Sequence, residues 1–166
     1  MKKKVMLVED EEFILQGIKN IIDWEALGMT IVHMAHDGME ALVCWEQEEV
    51  DIVVSDITMP RMDGLALMEK LREKSKKVRF IILTGYDEFE YARAAIHLDV
   101  ENYILKPIDE EQLEQSLQSA AARLEERERA EMAQIDGKAD LVRFLNGKMN
   151  SIEQEHYRKE AGLSSR

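Results

Sequence analysis

The stretch VMLVEDEE, residues 5–12, runs four apolar side chains straight into four carboxylates. A short apolar run without polar alternation reads as a strand covered on both faces, as parallel sheets require. Its acidic end poses a physical problem. Carboxylates a few ångströms apart repel, and neighbouring core makes each ionised form costlier. Something cationic has to sit there. Outward from this stretch the pattern repeats: KVMLV (4–8), TIVHMA (30–35), DIVVS (51–55), VRFIIL (78–83) and NYIL (102–105) read as five strands. Segments of helical period separate them. Ile14, Ile18, Ile21 and Ile22 mark one; Ala41, Leu42 and Trp45 a second; Leu67, Met68 and Leu71 a third; Phe89, Ala92 and Ile96 a fourth. A fifth follows at Leu113, Leu117, Ala120 and Leu124. Alternating strands and helices imply right-handed βαβ units. The expected fold is α/β, a doubly wound five-stranded parallel sheet, flavodoxin-like in outline, with a helical C-terminal extension.

The chain has 166 residues, enough for one well-buried domain and a tail but hardly for two full domains. Its formal net charge is -12, from 13 basic and 21 acidic residues in 1–107 and 9 and 13 in the remainder. Neither part is suited to holding a nucleic-acid backbone by itself. Cys44 is the single cysteine, so no internal disulfide forms, and it reads as a small buried hydrophobe. MKKK resembles the start of a signal peptide, but only VMLV follows before the acids, too short for its apolar segment. No run reaches membrane-spanning length, and the expected location is the cytoplasm.

Open α/β sheets bind ligands beyond the carboxyl ends of their strands, at the switch in strand order. The residues due at that rim are Glu9 and Asp10 after the first strand, Asp56 after the third, Thr84 at the fourth and Lys106 after the fifth. Taken singly, each has a bland alternative. An acid at a strand end commonly caps a helix, and Thr84 before Gly85 suits turn chemistry. Their joint occurrence is what points to a site.

With VEDEE, DIVVSDITMPRMDG, ILTGYDEFEYA and NYILKP in this order, the chain resembles the receiver domain of two-component response regulators over about residues 3–125. IDWEALGM (22–29) and TGYDEFEYARAAI (84–96) further resemble the subgroup joined to an AraC-type helix-turn-helix output domain. The resemblance implies that Asp56 is the phosphoacceptor, attacking a phosphohistidine on a sensor histidine kinase. It implies that Asp10 and Glu9, with Asp56 and the backbone carbonyl of Thr58, hold a divalent cation, expected to be Mg2+. The cation would answer the opening problem. The commoner family pair is two aspartates, so Glu9 alters the geometry or affinity of the metal site. Lys106 would supply positive charge opposite the metal, with a cis peptide bond to Pro107. Thr84 would donate its hydroxyl to a phosphoryl oxygen, and Tyr103 would be the switch aromatic; a tyrosine at a sheet edge is the alternative.

MPRMDG, with Pro60 and Gly64, reads as loop shape, Asp63 or a neighbour capping the next helix. His33 and His36 fall on opposite faces of a strand by their spacing and His97 and His156 have no nearby ligand set, so none reads as a zinc ligand. Met29, Met34, Met39, Met62 and Met68 read as gap-filling core. Two other classes compete. Haloacid-dehalogenase-like phosphatases carry a D-x-D pattern, whereas Thr58 stands two residues after Asp56. A degenerate receiver would serve only as a dimerisation or docking module, which intact Asp56, Thr84 and Lys106 disfavour.

The expected division is a receiver over 1–124 and a helical linker or extension over 125–166. Past Leu124 the heptad positions are Arg127 and Glu131, so a coiled coil ends after two heptads. A charged helix should continue to about Ala133, break at DGK (136–138), resume through ADLVRFLNGK until Asn146 and Gly147, and restart at a capping box, SIEQ (151–154). Leu141, Val142, Phe144, Leu145 and Ile152 should pack on the receiver, on a second copy or on a further part. The expectation is a fragment cut inside the linker of a longer regulator. DNA binding would belong to the output domain, and homodimerisation would run through the face of the fourth and fifth helices or through the tail.

Overall fold

The computed structural model of the chain describes residues 1–85, 93 and 98–158, and for 148–158 the backbone alone. Five strands, β1 (Lys3–Val8), β2 (Met29–Ala35), β3 (Ile52–Asp56), β4 (Arg79–Thr84) and β5 (Asn102–Leu105), form one sheet in the order β2-β1-β3-β4-β5. Every adjacent pair is parallel. The described helices are α1 (Glu12–Ile21), α2 (Gly38–Gln47), α3 (Gly64–Lys74) and α4 (Glu110–Arg158). This is the doubly wound architecture the alternation predicts. From β1 the chain first builds outward to β2 and then returns past β1 to β3. The reversal leaves a crevice above the carboxyl ends of β1 and β3.

Each strand alternates between two cores. Met6, Val8, Val53, Phe80 and Ile82 face one way, against Ala41 and Trp45 of α2 and Leu67, Met68 and Leu71 of α3. Val5, Leu7, Ile52, Val54, Ile81, Leu83 and Ile104 face the other way, against Leu15 and Ile18 of α1 and Leu113, Leu117, Ala120 and Leu124 of α4. Period-two strands between two amphipathic helix layers leave all of β3 and β4 buried. Asp37 and Asp63 begin α2 and α3, accepting from the amides of Glu40 and Ala66 at 2.8 Å.

Some expectations are corrected. Ile21 is a third exposed, because α1 turns Leu15, Ile18 and the following Ile22 inward instead. Met39 lies on the outer side of α2 and is 45% exposed, so it fills no core gap. Cys44 is only partly buried, at the edge of the α2 and α3 core. The register of β2 slips between Val5 and Met6 of β1, leaving Val32 as an extra residue. Across this bulge Ile31 and Met34, three apart, share a face, whereas His33 lies past the extra residue, where the register is regular through Ala35. His33 and His36 have separate partners: His33 Nε2 meets the Glu48 carbonyl at 2.9 Å, and His36 meets Glu12 and Glu40.

The chain divides into two compact units, one ending at Leu124 and the next beginning at Glu125. In the second, α4 runs unbroken through DGK, through Asn146 and Gly147, and through SIEQ. A helix-interior glycine costs only about 1 kcal/mol relative to alanine, and the helix continues across both. Met132, Ile135, Leu141, Val142, Phe144 and Leu145 of this unit are each about half exposed. The helix expected around Phe89, Ala92 and Ile96, with His97, lies outside the described residues, as do the side chains of Ile152 and His156. Among the described residues no helix is long and apolar enough to cross a membrane.

The MPRMDG loop is shaped by contact. A β-carbon at Gly64 would lie 2.2 Å from the Asp56 carbonyl oxygen, and the Gly64 amide donates to the Ile57 carbonyl at 2.8 Å. Gly64→Ala should therefore destabilise the protein by about 3 kcal/mol, the upper range for overpacking. An unchanged urea midpoint for this variant would contradict the packing described here.

Candidate functional site

Four strand ends deliver the rim. Glu9 follows β1 and its amide donates to the Ala35 carbonyl of β2 at 3.0 Å; Asp56 closes β3; Thr84 closes β4; Lys106 follows β5, its amide donating to the Thr84 carbonyl at 2.8 Å. Parallel register aligns these ends, so residues far apart in the chain meet. Lys106 Nζ lies 2.9 Å from Asp56 Oδ2 and 3.3 Å from Glu9 Oε2. The Lys106–Pro107 peptide bond is cis.

Both acids facing Lys106 are taken out of water. Glu9 is 0% exposed and Asp56 4%. Asp56 Oδ1 accepts from the Ile57 amide at 2.8 Å, and Glu9 Oε1 from the Glu11 amide at 3.2 Å. Glu9 Oε2 has the lysine as a charge partner but forms no hydrogen bond. Burial, and then the charge of Asp56, push the Glu9 carboxyl up to about 7, against the pull of Lys106. Burial works against the Lys106 ammonium, but the hydrogen bond and charge of Asp56, and then Glu9, outweigh it and hold its pKa above the ordinary lysine value. One lysine among three acids leaves excess negative charge. Two unit charges 4 Å apart interact by about 4 kcal/mol at an effective dielectric constant near 20.

Glu9, Asp10 and Asp56 each place one carboxylate oxygen so that the three lie within 4.8 Å of one another. Hard oxygen donors, a buried oxygen lacking a hydrogen bond and an excess of negative charge together suit a small divalent cation. Asp10, unlike the other two, is exposed and can keep the cation accessible. Thr58, two residues beyond Asp56, is exposed on the same loop. Thr84 is buried, and its hydroxyl donates to the Gly85 carbonyl at 3.1 Å. Tyr103 is partly buried against the core under α2 and α3, and that burial raises its phenol pKa.

Some structure around the rim was invisible to sequence reasoning. Arg61 donates to Asp37 Oδ2 from Nε at 2.7 Å and approaches it through a second guanidinium nitrogen at 2.6 Å. The Gly38 amide donates to the Met62 carbonyl at 3.0 Å, and His36 Nε2 lies 2.7 Å from Glu12 Oε2. Asp37 ahead of a helical segment signals a cap, but nothing local announces a partner 24 residues away.

A family model described as the response regulator receiver domain matches residues 5–118. The transcriptional regulatory protein YesN of Bacillus subtilis (strain 168) is 38% identical over 159 residues, 91% of this chain and 43% of its own length. The transcriptional regulatory protein HptR of Staphylococcus aureus (strain NCTC 8325 / PS 47) is 40% identical over 111 residues, 67% of this chain and 43% of its own. This chain thus spans less than half the length of these curated relatives. Among solved structures, the receiver domain of AraT, a response regulator from Geobacillus stearothermophilus, is 42% identical with a TM-score of 0.74, covering 77% of this chain and 99% of that one. A CheX–CheY–BeF3–Mg complex from Borrelia burgdorferi is 28% identical with a TM-score of 0.63, covering 70% and 87%.

The Glu9 shift has a definite sign. A carboxyl whose pKa is higher folded than unfolded adds stability that is complete below its ordinary value of 4.5 and is lost as pH rises through about 7. Without metal, the parent should lose stability relative to Glu9→Gln across that window. Parallel curves for the two proteins, in urea titrations from pH 4.5 to 8, would sink the assignment.

Proposed function

The chain belongs to the response regulator receiver domain family, and from that premise we propose that Asp56 accepts a phosphoryl group from a sensor histidine kinase, switching the domain to control a transcriptional output. The observation that carries this reading is the Asp56 carboxylate, buried and held 2.9 Å from Lys106 Nζ beside Glu9 and Asp10. An Asp56 oxygen attacks the phosphorus of a phosphohistidine, the phosphorus–nitrogen bond breaks, and an acyl phosphate remains. Phosphoryl transfer needs little beyond position and neutralised charge on the equatorial oxygens. Lys106 faces the incoming group, and Thr84 turns its hydroxyl from the Gly85 carbonyl to a phosphoryl oxygen. Glu9, Asp10 and Asp56, with the Thr58 carbonyl, would hold Mg2+. Bound there, the ion supplies positive charge that offsets the acids and the phosphoryl oxygens.

The output is a shift between two arrangements, biased by the charge added at Asp56 and read through Thr84 and Tyr103. Residues beyond Leu124 serve as a linker to an output domain that carries DNA binding, which the transcriptional-regulator relatives and the acidic charge of this chain support. We place the protein in the cytoplasm, self-associating as a homodimer through the face expected of the fourth and fifth helices or through the tail.

Incubation with Mg2+ and acetyl phosphate should add one phosphoryl group, seen by intact mass, and none to Asp56→Asn. Lys106→Ala should slow uptake about 100-fold, the usual cost of removing one charge-stabilising donor. Equal uptake by Asp56→Asn would overturn the assignment. Turnover of many phosphoesters would favour a phosphatase, and no uptake by the parent a docking module.

A further inference from the structure

Two neighbouring side chains at the start of α2 reach the two loops that carry the acids. Asp37 holds Arg61 on the loop that leaves β3 after Asp56, at 2.6–2.7 Å. His36 holds Glu12, at the start of α1 just past Glu9 and Asp10, at 2.7 Å. The Asp37 side chain is only 8% exposed and also caps α2, accepting from the Glu40 amide at 2.8 Å. Burial disfavours its ionised form, but the Glu40 amide and Arg61 outweigh this and lower its pKa. His36 is itself braced by Glu40, through its amide and through Nδ1, both at 3.1 Å.

The loop after β3 is shaped to make the contact. Arg61 adopts φ +66, the left-handed region that costs a side-chain-bearing residue of order 1–3 kcal/mol. Beside it, Gly38 lets the backbones close: its amide reaches the Met62 carbonyl at 3.0 Å, and a β-carbon there would fall 2.7 Å from Met62. A strained non-glycine residue is retained where its side chain has a task, and here the guanidinium spans to a capping carboxylate.

We infer that His36 and Asp37 are positioning residues, a two-sided staple by which the first turn of α2 keeps the Glu9–Asp10 loop and the Asp56–Thr58 loop at the spacing a divalent cation needs. The inference rests on the metal-holding reading of those acids. Asp37–Arg61 is the stronger arm, because one partner is buried, whereas His36 and Glu12 are both about half exposed and an exposed pair contributes little.

The test is calorimetric titration of the full chain with Mg2+ alone, beside urea unfolding. Arg61→Gly relieves the left-handed strain but also removes the charge partner of a buried carboxylate, so a merely structural role predicts a change in stability alone, with unchanged metal binding. A staple predicts Mg2+ bound about 5-fold or more weakly by protein that is still folded. Asp37→Asn keeps a capping side chain but loses the charge facing Arg61, and should weaken Mg2+ similarly; in the double variant the two losses should not add. Arg61→Lys should restore part of the affinity. Unchanged Mg2+ affinity in both single variants overturns the staple alone. No Mg2+ binding by the parent overturns the metal-holding reading, and the staple with it.

Discussion

The Lys106 ammonium set between Asp56 and Glu9 is the contact on which the rest of the rim depends. Two buried carboxylates cannot stand side by side in an apolar crevice without opposite charge, and one lysine offsets only part of what Asp10 and Glu9 add. The remainder appears as a Glu9 carboxyl pushed up toward neutrality and an oxygen without a hydrogen bond. Such a site holds electrostatic strain that either protons or a divalent cation can relieve. The same excess of charge that makes Glu9 costly suits the crevice to a small hard cation.

Holding that arrangement is the work of the sheet. β3 and β4 are buried along their whole length between two helix layers, so their carboxyl ends move only if both cores move. Interiors packed to crystal-like density respond in discrete steps. This would give the rim the rigidity that the proposed phosphoryl transfer asks for, and would give changes at Asp56 a way to spread. Thr84 ends a strand whose neighbour β5 carries Tyr103, with Ile82 paired to Tyr103 and Thr84 to Leu105. In the proposed switch, a Thr84 hydroxyl that turns would act next to an aromatic only partly committed to the core.

The two compact units differ in what covers them. In the first, Leu113, Leu117, Ala120 and Leu124 of α4 are buried against the sheet. In the second, the helix presents apolar side chains about half exposed. Helical continuity across Gly137 and Gly147 reflects how little a single glycine, at about 1 kcal/mol, weighs in a long helix. Reading those glycines as stops gave too much authority to local signals.

Much was legible in the sequence, and for a stated reason. Short unbroken apolar runs alternating with helical periods admit few architectures, and a doubly wound sheet places strand ends on one rim. Glu9, Asp10, Asp56, Thr84 and Lys106 could therefore be named together, since each closes or directly follows its strand. What escaped were contacts set by the relative placement of elements. Asp37 with Arg61, His36 with Glu12 and the bulge at Val32 leave no periodic trace, because each joins loops or edges whose approach is decided by how the helices pack. Ile21 and Met39 misled in the complementary way: their type suits a core, and only the rotation of the helix decides which side chains reach it. The amino-acid order by itself determined the elements, the sheet and the identity of the charged groups at its rim. Distances among those groups, the burial that shifts Glu9 and the contacts of His36 and Asp37 at the start of α2 were decided by tertiary structure alone, because electrostatic energy depends on separation and solvent exclusion, which no one-dimensional pattern encodes.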